Sequence, residues 1–334
     1  MTELSQKKRL LNAIAMKTVD RVPVVSMTQT GTVELMNASN AYWPKAHKEV
    51  KSMAELAVAG HSIAGLEAVR LPFGLTSEAA TMGCEVDYHE DKIDYTPNVK
   101  KGLDSYDHFR IPEPTEGMMG QILEASKFCR KMVGEDVPII VGVTGPFTIA
   151  GHIRGVDAIM RDLMLSPSTI RKIEEATWQV VANFTNALAA NGVDVVAFIE
   201  PNASIIGPVY FKTFVSPYMK KITDSVKVPT ILHVCGNSLP IMNLMVETGV
   251  NGVSIDQKVS ITKAKAVING RCSIIGNVDP VGVLLNKKAN EVMEDCKRII
   301  AEGTDVLAPG CGIAPHTSVK NIKAMVKVGK ESYK

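Results

Sequence analysis

The chain of 334 residues has little net charge, few aromatic side chains and no apolar run long enough to cross a bilayer. Lysine and arginine number 37 against 35 aspartate and glutamate residues, and the charge pattern contains no long basic run, so nothing in it indicates a nucleic-acid partner. A membrane-spanning helix needs about 20 apolar residues, so we expect no membrane association. The first sixteen residues are charged from the outset, which argues against a signal peptide and predicts a cytoplasmic protein.

The sequence also lacks the cysteine content of a disulfide scaffold. Its six cysteines are at positions 84, 129, 235, 272, 296 and 311. In a cytoplasmic protein such residues are expected to be free thiols or metal ligands rather than disulfides. Cys129 and Cys296 fall in predicted helices, where core packing is the default, and we assign no role to Cys84 or Cys272.

Short apolar runs rich in valine and isoleucine are abundant, and each is followed by a helical pattern. They cover residues 22–28, 68–73, 138–145, 193–200, 229–235, 252–257, 272–278 and 306–311. Runs with little alternation are typical of strands buried on both faces, and strand–helix alternation requires parallel pairing through right-handed crossovers. Eight such units predict an α/β fold of the (β/α)8 (TIM) barrel type. The alternative is a doubly wound open sheet. The absence of a G-x-G-x-x-G motif after the first strand argues against it.

The domain organisation expected from this pattern is simple. We predict one barrel domain over residues 1–334, with an N-terminal helix within residues 1–20. Residues 74–114 are polar and rich in turn formers, and form an excursion near the barrel mouth, by which we mean the carboxyl-terminal ends of the strands. Long insertions after strands often cover functional sites.

A histidine and a cysteine two residues apart end the fifth predicted strand, in the segment ILHVCGNS. Because side chains alternate along a strand, His233 and Cys235 point the same way. Imidazole and thiolate are zinc ligands, and Cys311, at the end of the eighth predicted strand, is the best candidate for a third. The alternative is structural, since a single buried cysteine is usually a small core residue and a single strand-end histidine is usually hydrogen-bonded.

Further polar residues lie near the carboxyl ends of the predicted strands, which in a TIM barrel is where the active site forms. These candidates, with the three possible zinc ligands, are Gln29, Arg70, Glu200, His233, Cys235, Asp256, Asn277 and Cys311. In a barrel, side chains from the fifth and eighth strands can meet near the central axis. The sequence therefore predicts one zinc ion per chain at this rim.

Several segments resemble the uroporphyrinogen decarboxylase superfamily along nearly the whole chain. They are RVPVVSMTQTGTVELM, VPIIVGVTGPFTIAGHIRG, SIIGNVDP and APGCGIAP. The departures from the decarboxylases are specific. Their substrate-loop arginines are replaced by Thr28 and Thr32, an essential aspartate is replaced by Gly74, and a histidine is replaced by Cys311. The resemblance therefore implies the fold of these enzymes without their activity.

A closer resemblance is to the methylcobamide:coenzyme M methyltransferases, whose zinc signature is His-x-Cys followed some seventy to eighty residues later by a Cys in a Gly-Cys-Gly setting. Here the matching residues are His233, Cys235 and Cys311. The resemblance implies a zinc-dependent transferase of methanogenesis. Its methyl donor would be a methylcobamide on a separate corrinoid protein, and its acceptor would be the thiol of coenzyme M at the fourth zinc position.

The remaining candidates have expected roles around that site. As catalytic residues, Asp256 or Glu200 would occupy the open zinc position before the thiol binds, and Glu200 could instead accept a hydrogen bond from His233. Hydrogen-bond donors for the sulfonate group of coenzyme M would come from Gln29, Arg70 and Asn277. His152 and Arg154 are further rim candidates, and His316 is interpreted as a loop residue. The alternatives are a corrinoid-dependent enzyme with another thiol acceptor, a porphyrinogen decarboxylase-like enzyme, and a non-catalytic binding protein.

Overall fold

The computed structural model describes residues 3–106 and 108–333. Six of its strands form one parallel sheet in the order β1-β4-β5-β6-β7-β8, and the other two, β2 and β3, pair as a separate antiparallel hairpin. In chain order the strands are β1 Val69–Leu71, β2 Glu85–Asp87, β3 Asn98–Lys101, β4 Ile139–Thr144, β5 Val195–Ile199, β6 Thr230–Val234, β7 Gly252–Ile255 and β8 Ser273–Ile275.

Helices connect the strands and surround the sheet. They are α1 Gln6–Ile14, α2 Val33–Ser39, α3 Lys45–Lys48, α4 Val50–Ser62, α5 Ser77–Thr81, α6 Gly117–Val133, α7 Pro146–Arg154, α8 Val156–Leu165, α9 Pro167–Ala190, α10 Gly207–Tyr210, α11 Ser216–Ser225, α12 Met242–Glu247, α13 Ile261–Ile268, α14 Ala289–Glu302 and α15 Val319–Glu331. Two short 3₁₀ segments, Pro201–Ile205 and Leu239–Ile241, and two π-helical turns, Phe211–Val215 and Pro280–Leu285, complete the set. Within the described ranges no helix is both long and apolar enough to cross a membrane.

Two extended segments close the sheet into a barrel. Val24 forms a parallel bridge with Leu307, and the Glu67 N–H donates to the Val24 carbonyl, which joins this segment to β1. On the other side Ile275 bridges Val306. The predicted (β/α)8 barrel is therefore confirmed, although the first and eighth predicted strands are single bridges rather than regular ladders.

The barrel interior is built by the alternation of side chains along each strand. Val195, Ala197 and Ile199 belong to an inner cluster, whereas Val196 and Phe198 pack in the outer core beneath the helices. Leu10, Ala13 and Ile14 of α1 join the inner cluster, so this N-terminal helix packs against the barrel interior. The inward-pointing strand residues of this cluster therefore fill the barrel interior together with the apolar face of α1.

The 74–114 segment contains α5 and the β2–β3 hairpin. The hairpin is docked closely on α7: the Leu103 N–H donates to the Ile153 carbonyl, and a Cβ added at Gly102 would overlap that same oxygen. Only glycine allows the two backbones to approach this closely. The segment is thus fixed to the end of α7.

Candidate metal centre

His233, Cys235 and Cys311 meet inside the barrel mouth. Ile231 of β6 belongs to the inner cluster, so His233 and Cys235, two and four residues later, also point inward. The Cys235 sulfur lies 3.4 Å from the His233 Nε2 and 3.8 Å from the Cys311 sulfur. The three ligand atoms lie within 4.8 Å of one another. Among the described residues, these three side chains form the cluster of histidine, cysteine or acidic residues that could hold a metal ion.

The imidazole of His233 is held in an orientation that leaves Nε2 for the cluster. Its Nδ1 lies 3.1 Å from the hydroxyl of Ser254 and 3.2 Å from the Ser254 carbonyl. Because a carbonyl only accepts, this contact favours the tautomer with the proton on Nδ1 and a free lone pair on Nε2. A metal-ligating histidine commonly has such a partner for its other nitrogen.

The donor set fits zinc in chemistry and in spacing. A tetrahedral ion with usual zinc–ligand distances separates two sulfurs by about 3.8 Å and a nitrogen from a sulfur by about 3.6 Å, close to the spacing found here. The contact between the thiols lowers the pKa of Cys311 and raises the pKa of Cys235, because the first thiolate formed accepts the hydrogen bond of the second thiol. Both sulfurs are therefore anionic at neutral pH only with a cation between them.

The cluster opens into a cavity of about 510 Å³. The wall is formed by β1 and its loop, the hairpin segment 96–102, the end of α7 and the loop after Cys311. Its lining includes Arg70 and Lys100 and no aspartate or glutamate, and Lys100 forms an ion pair with Glu85 at 2.8 Å, so Arg70 supplies the uncompensated positive charge. A wall with this charge favours an anionic small molecule.

Arg70 is the buried cation of this wall. Its guanidinium is 2% exposed and donates to the carbonyls of Met27 and Pro72. No carboxylate of the described residues lies within ion-pair distance of it, and burial lowers its pKa to about 9. The group therefore stays charged at neutral pH without a direct counterion.

Gln29 and His152 also line the cavity. The Gln29 Nε2 donates to the Ile313 carbonyl, which ties the first segment to the loop after Cys311, and its Oε1 is buried without a partner among the described residues. His152 lies near the end of α7, and its Nδ1 is likewise buried and unpartnered there. Burial lowers the pKa of His152 to about 4, so its ring is neutral at pH 7.

Glu200 lies outside the cavity lining. Its Oε1 accepts from the Phe147 N–H at 3.0 Å, and its Oε2 accepts from the Thr148 N–H at 2.9 Å and hydroxyl at 2.7 Å. The carboxylate thus holds the first turn of α7, where backbone N–H groups favour a negative charge. We expected that Glu200 could accept a hydrogen bond from His233, but the residue that contacts the His233 Nδ1 is Ser254.

Asp256 and Asn277 hold loops next to the cluster. The Asp256 carboxylate accepts from the N–H groups of Gly236 and Lys258, so it fixes the turn that follows Cys235. Asn277 donates both amide hydrogens to the carbonyls of Asp256 and Val259 and does not line the cavity. Asn277 was expected to bind the sulfonate, but both of its amide hydrogens are already donated to backbone carbonyls of the loop.

The other rim candidates contact carboxylates outside the cluster. Arg154 pairs with Asp162 at 2.7 Å. His316 lies 3.1 Å from the Asp94 carboxylate, which joins the loop after Cys311 to the 74–114 segment. His316 is a loop residue, as expected.

Two residues of the candidate site were not predicted from the sequence. Ser254 was not singled out, although its position opposite His233 in the β6–β7 register is the signal that could have found it. Lys100 lies in a hairpin whose pairing could not be foreseen in a turn-rich segment.

Comparisons with known proteins agree with this geometry. The uroporphyrinogen decarboxylase (URO-D) family model matches residues 5–332. The chain is 39% identical to the methylcobamide:CoM methyltransferase MtbA of Methanosarcina acetivorans, over 99% of both chains, and 36% identical to MtaA of Methanosarcina barkeri, over the full length of both. A solved methyltransferase from Methanosarcina mazei superimposes with a TM-score of 0.95 at 37% identity, covering 98% of this chain and 99% of that one.

These matches extend over the strands, the 74–114 segment and the loop that carries Cys311, so they include the whole candidate site. The resemblance drawn from the sequence is confirmed. The chain belongs to the uroporphyrinogen decarboxylase (URO-D) family and, within it, to the methylcobamide:CoM methyltransferases.

Proposed function

We propose that the protein transfers a methyl group from a methylated corrinoid, carried by a partner protein, to the thiol of coenzyme M during methanogenesis, with one zinc ion held by His233, Cys235 and Cys311. The observation that carries the proposal is the meeting of these three donor atoms at the inner end of a cavity whose wall includes the buried cation Arg70 and no carboxylate. The full-length similarity to enzymes named for this reaction supports it.

The ligand set explains how a thiol would become reactive. Zinc bound there would leave a coordination position for the incoming sulfur and hold that sulfur as the thiolate, which is the nucleophile. Two cysteine thiolates and a neutral histidine balance the charge of the ion, so the incoming thiolate stays electron-rich. Ser254 holds the His233 proton on Nδ1, and Asp256 fixes the turn after Cys235.

The reaction is a displacement at the methyl carbon. The thiolate sulfur supplies the electron pair of the new sulfur–carbon bond, and the cobalt–carbon pair stays with cobalt, which passes from Co(III) to Co(I). Arg70 binds the sulfonate of the acceptor, because it is a buried cation in the cavity wall with no direct counterion among the described residues. The amide of Gln29 lies in the same wall as a second polar contact.

Two alternatives predict different substrates. An enzyme whose acceptor is another thiol, without an anionic end, would have no use for a buried cation such as Arg70 in the cavity wall. A porphyrinogen decarboxylase-like enzyme would need several cations for a substrate with many carboxylates. The cavity lining offers two, Arg70 and Lys100, and Thr28 and Gly74 also line it.

Metal analysis combined with methyl transfer tests the proposal. We expect about one zinc per chain, and coenzyme M-dependent demethylation of methylcobalamin followed by its visible absorbance. Cys311→Ala should lose both zinc and activity, whereas Cys272→Ala, which removes a buried thiol away from the cluster, should retain both. Full activity in a protein freed of metal by a chelator would overturn the zinc assignment, and release of carbon dioxide from uroporphyrinogen would favour the decarboxylase.

A further inference from the structure

The cavity has an inner end and an outer end. His233, at the metal centre, is completely buried, and Arg70 is nearly so. Val156, which follows α7 and also lines the cavity, is 40% exposed. His152 also lines the cavity and is half-buried, so it belongs to a less buried part of the wall than His233 and Arg70.

The ring of His152 offers a neutral hydrogen-bond donor. Its Nδ1 is buried with no partner among the residues that the structure describes. An orphaned N–H is more costly than an orphaned lone pair, so the favoured tautomer carries its proton on Nε2. A half-buried imidazole in a cavity wall with this free donor has a polar contact left to make.

The helix that carries His152 is fixed at both ends. Glu200 accepts three hydrogen bonds from the first turn of α7. At the other end the Leu103 N–H donates to the Ile153 carbonyl, and Gly102 packs directly on that carbonyl. The backbone that carries the imidazole is consequently fixed in position, as the support of a recognition group needs to be.

The size of the acceptor decides which substrate this donor meets. Coenzyme M has two carbons between its sulfur and its sulfonate, so both ends stay at the buried end of the cavity, between the metal centre and Arg70. The exposed end is left for the methyl donor, which arrives from solvent. The edge of a corrin ring carries amide groups, whose neutral carbonyl oxygens match a neutral N–H.

We propose that His152 is a specificity residue for the methyl donor, and that it donates a hydrogen bond to an amide oxygen at the edge of the corrin ring. This inference rests on the proposed function. A neutral donor suits an uncharged oxygen, whereas the anionic end of the acceptor already has the charged Arg70.

The test separates the two substrates. Zinc-loaded wild type, His152→Leu and His152→Gln are compared with free methylcobalamin as donor and coenzyme M as acceptor. One neutral hydrogen bond corresponds to about a 3–10-fold change, so we expect KM for methylcobalamin to rise by that factor in His152→Leu. His152→Gln keeps an N–H donor and should stay within about twofold of wild type. KM for coenzyme M and zinc content should not change, and His108→Leu, an exposed histidine outside the cavity, should match wild type throughout.

Equilibrium dialysis of methylcobalamin without thiol gives a second readout, in which Kd should follow the same pattern. A rise in KM for coenzyme M instead, or no change in either constant for His152→Leu, would overturn the assignment of His152 and leave the proposed function standing. Failure of the wild type to bind or demethylate methylcobalamin would overturn both. The thermal midpoint of each variant shows whether it is folded. If His152→Leu is not folded, His152→Ala, which removes the ring without adding bulk, takes its place with the same expected rise in KM and Kd for methylcobalamin and the same outcome that would overturn the assignment.

Discussion

Replacing Arg70 by glutamine tests how the cavity selects its acceptor. The guanidinium is buried, donates to two backbone carbonyls and has no carboxylate of the described residues within ion-pair distance. Its pKa, lowered to about 9 by burial, still leaves it protonated at pH 7. A buried charge without a direct counterion is costly, and an anionic ligand offsets that cost. Glutamine removes the charge and keeps a hydrogen-bond donor.

The expected size follows from the kind of hydrogen bond that the substitution removes. Hydrogen bonds to a charged group contribute about 1.5–3 kcal/mol, which corresponds to a factor of about 10–150. We expect KM for coenzyme M to rise by that factor in Arg70→Gln. The turnover number should change much less, because in the proposed complex Arg70 would contact the far end of the acceptor and not its sulfur. With 2-mercaptoethanol, which has the same spacer and thiol without the sulfonate, KM should stay within about twofold.

The assay is demethylation of methylcobalamin with each thiol at pH 7. Arg70→Lys is the matched control, since it keeps a positive charge but loses the planar fork, and it should lie between wild type and Arg70→Gln. Zinc content is measured for all three proteins. An equal loss of affinity for the charged and the uncharged thiol would refute the reasoning, because it would show that Arg70 supports the wall rather than the sulfonate.

Three further predictions concern the supports of the site. Ser254→Ala should weaken zinc binding about tenfold in chelator competition, because His233 loses one of its two Nδ1 partners; unchanged affinity would contradict this. Burial raises the pKa of Glu200 to about 7, above the value near 4.5 of an unfolded chain. The folded protein therefore keeps a proton that the unfolded chain loses, and this group's contribution to the free energy of unfolding should fall by about 3 kcal/mol between pH 4.5 and 7 and be constant above. The free energy of unfolding, measured with denaturant at several pH values, should show this fall in the wild type and not in Glu200→Gln. The same dependence on pH in both proteins would contradict the prediction. Gly102→Ala should lower the free energy of unfolding by about 1–3 kcal/mol, because its Cβ meets the Ile153 carbonyl, and an unchanged denaturation midpoint would contradict the close approach.

The barrel could be predicted from the sequence, but the irregular pairing of its first and last strands could not. Apolar runs and intervening helices identify all eight positions. The first run contains Pro23 and the last contains Pro309, and proline has no N–H to donate to a ladder. These segments therefore pair through isolated bridges, which join Val24 to Leu307, Ile275 to Val306 and Val278 to Pro309. The composition of each run indicated its burial, whereas the number of its hydrogen bonds depended on individual residues.

Strand parity separates the site residues from the others. Ile231 points inward, so His233 and Cys235 do too, and Ala68 does the same for Arg70. Glu200 follows the inward-pointing Ile199 directly, so it points toward the helices, where it meets α7. A shift of one residue changes the face of the strand. Closeness to a strand end was therefore not sufficient, and counting from a core residue would have placed Glu200 outside the cavity.

The location of Cys311 joins metal binding to closure of the barrel. His233 and Cys235 lie on a regular strand in the middle of the sheet, whereas Cys311 follows the segment that closes the ring through the bridges of Val306 and Leu307. The three ligand atoms can meet only when this last segment lies between β8 and the first. Because a metal that binds only the closed form stabilises it by mass action, zinc should contribute most where the backbone hydrogen bonding is least regular. In the proposed enzyme, the ion that prepares the thiol would then also hold the two halves of its own site together.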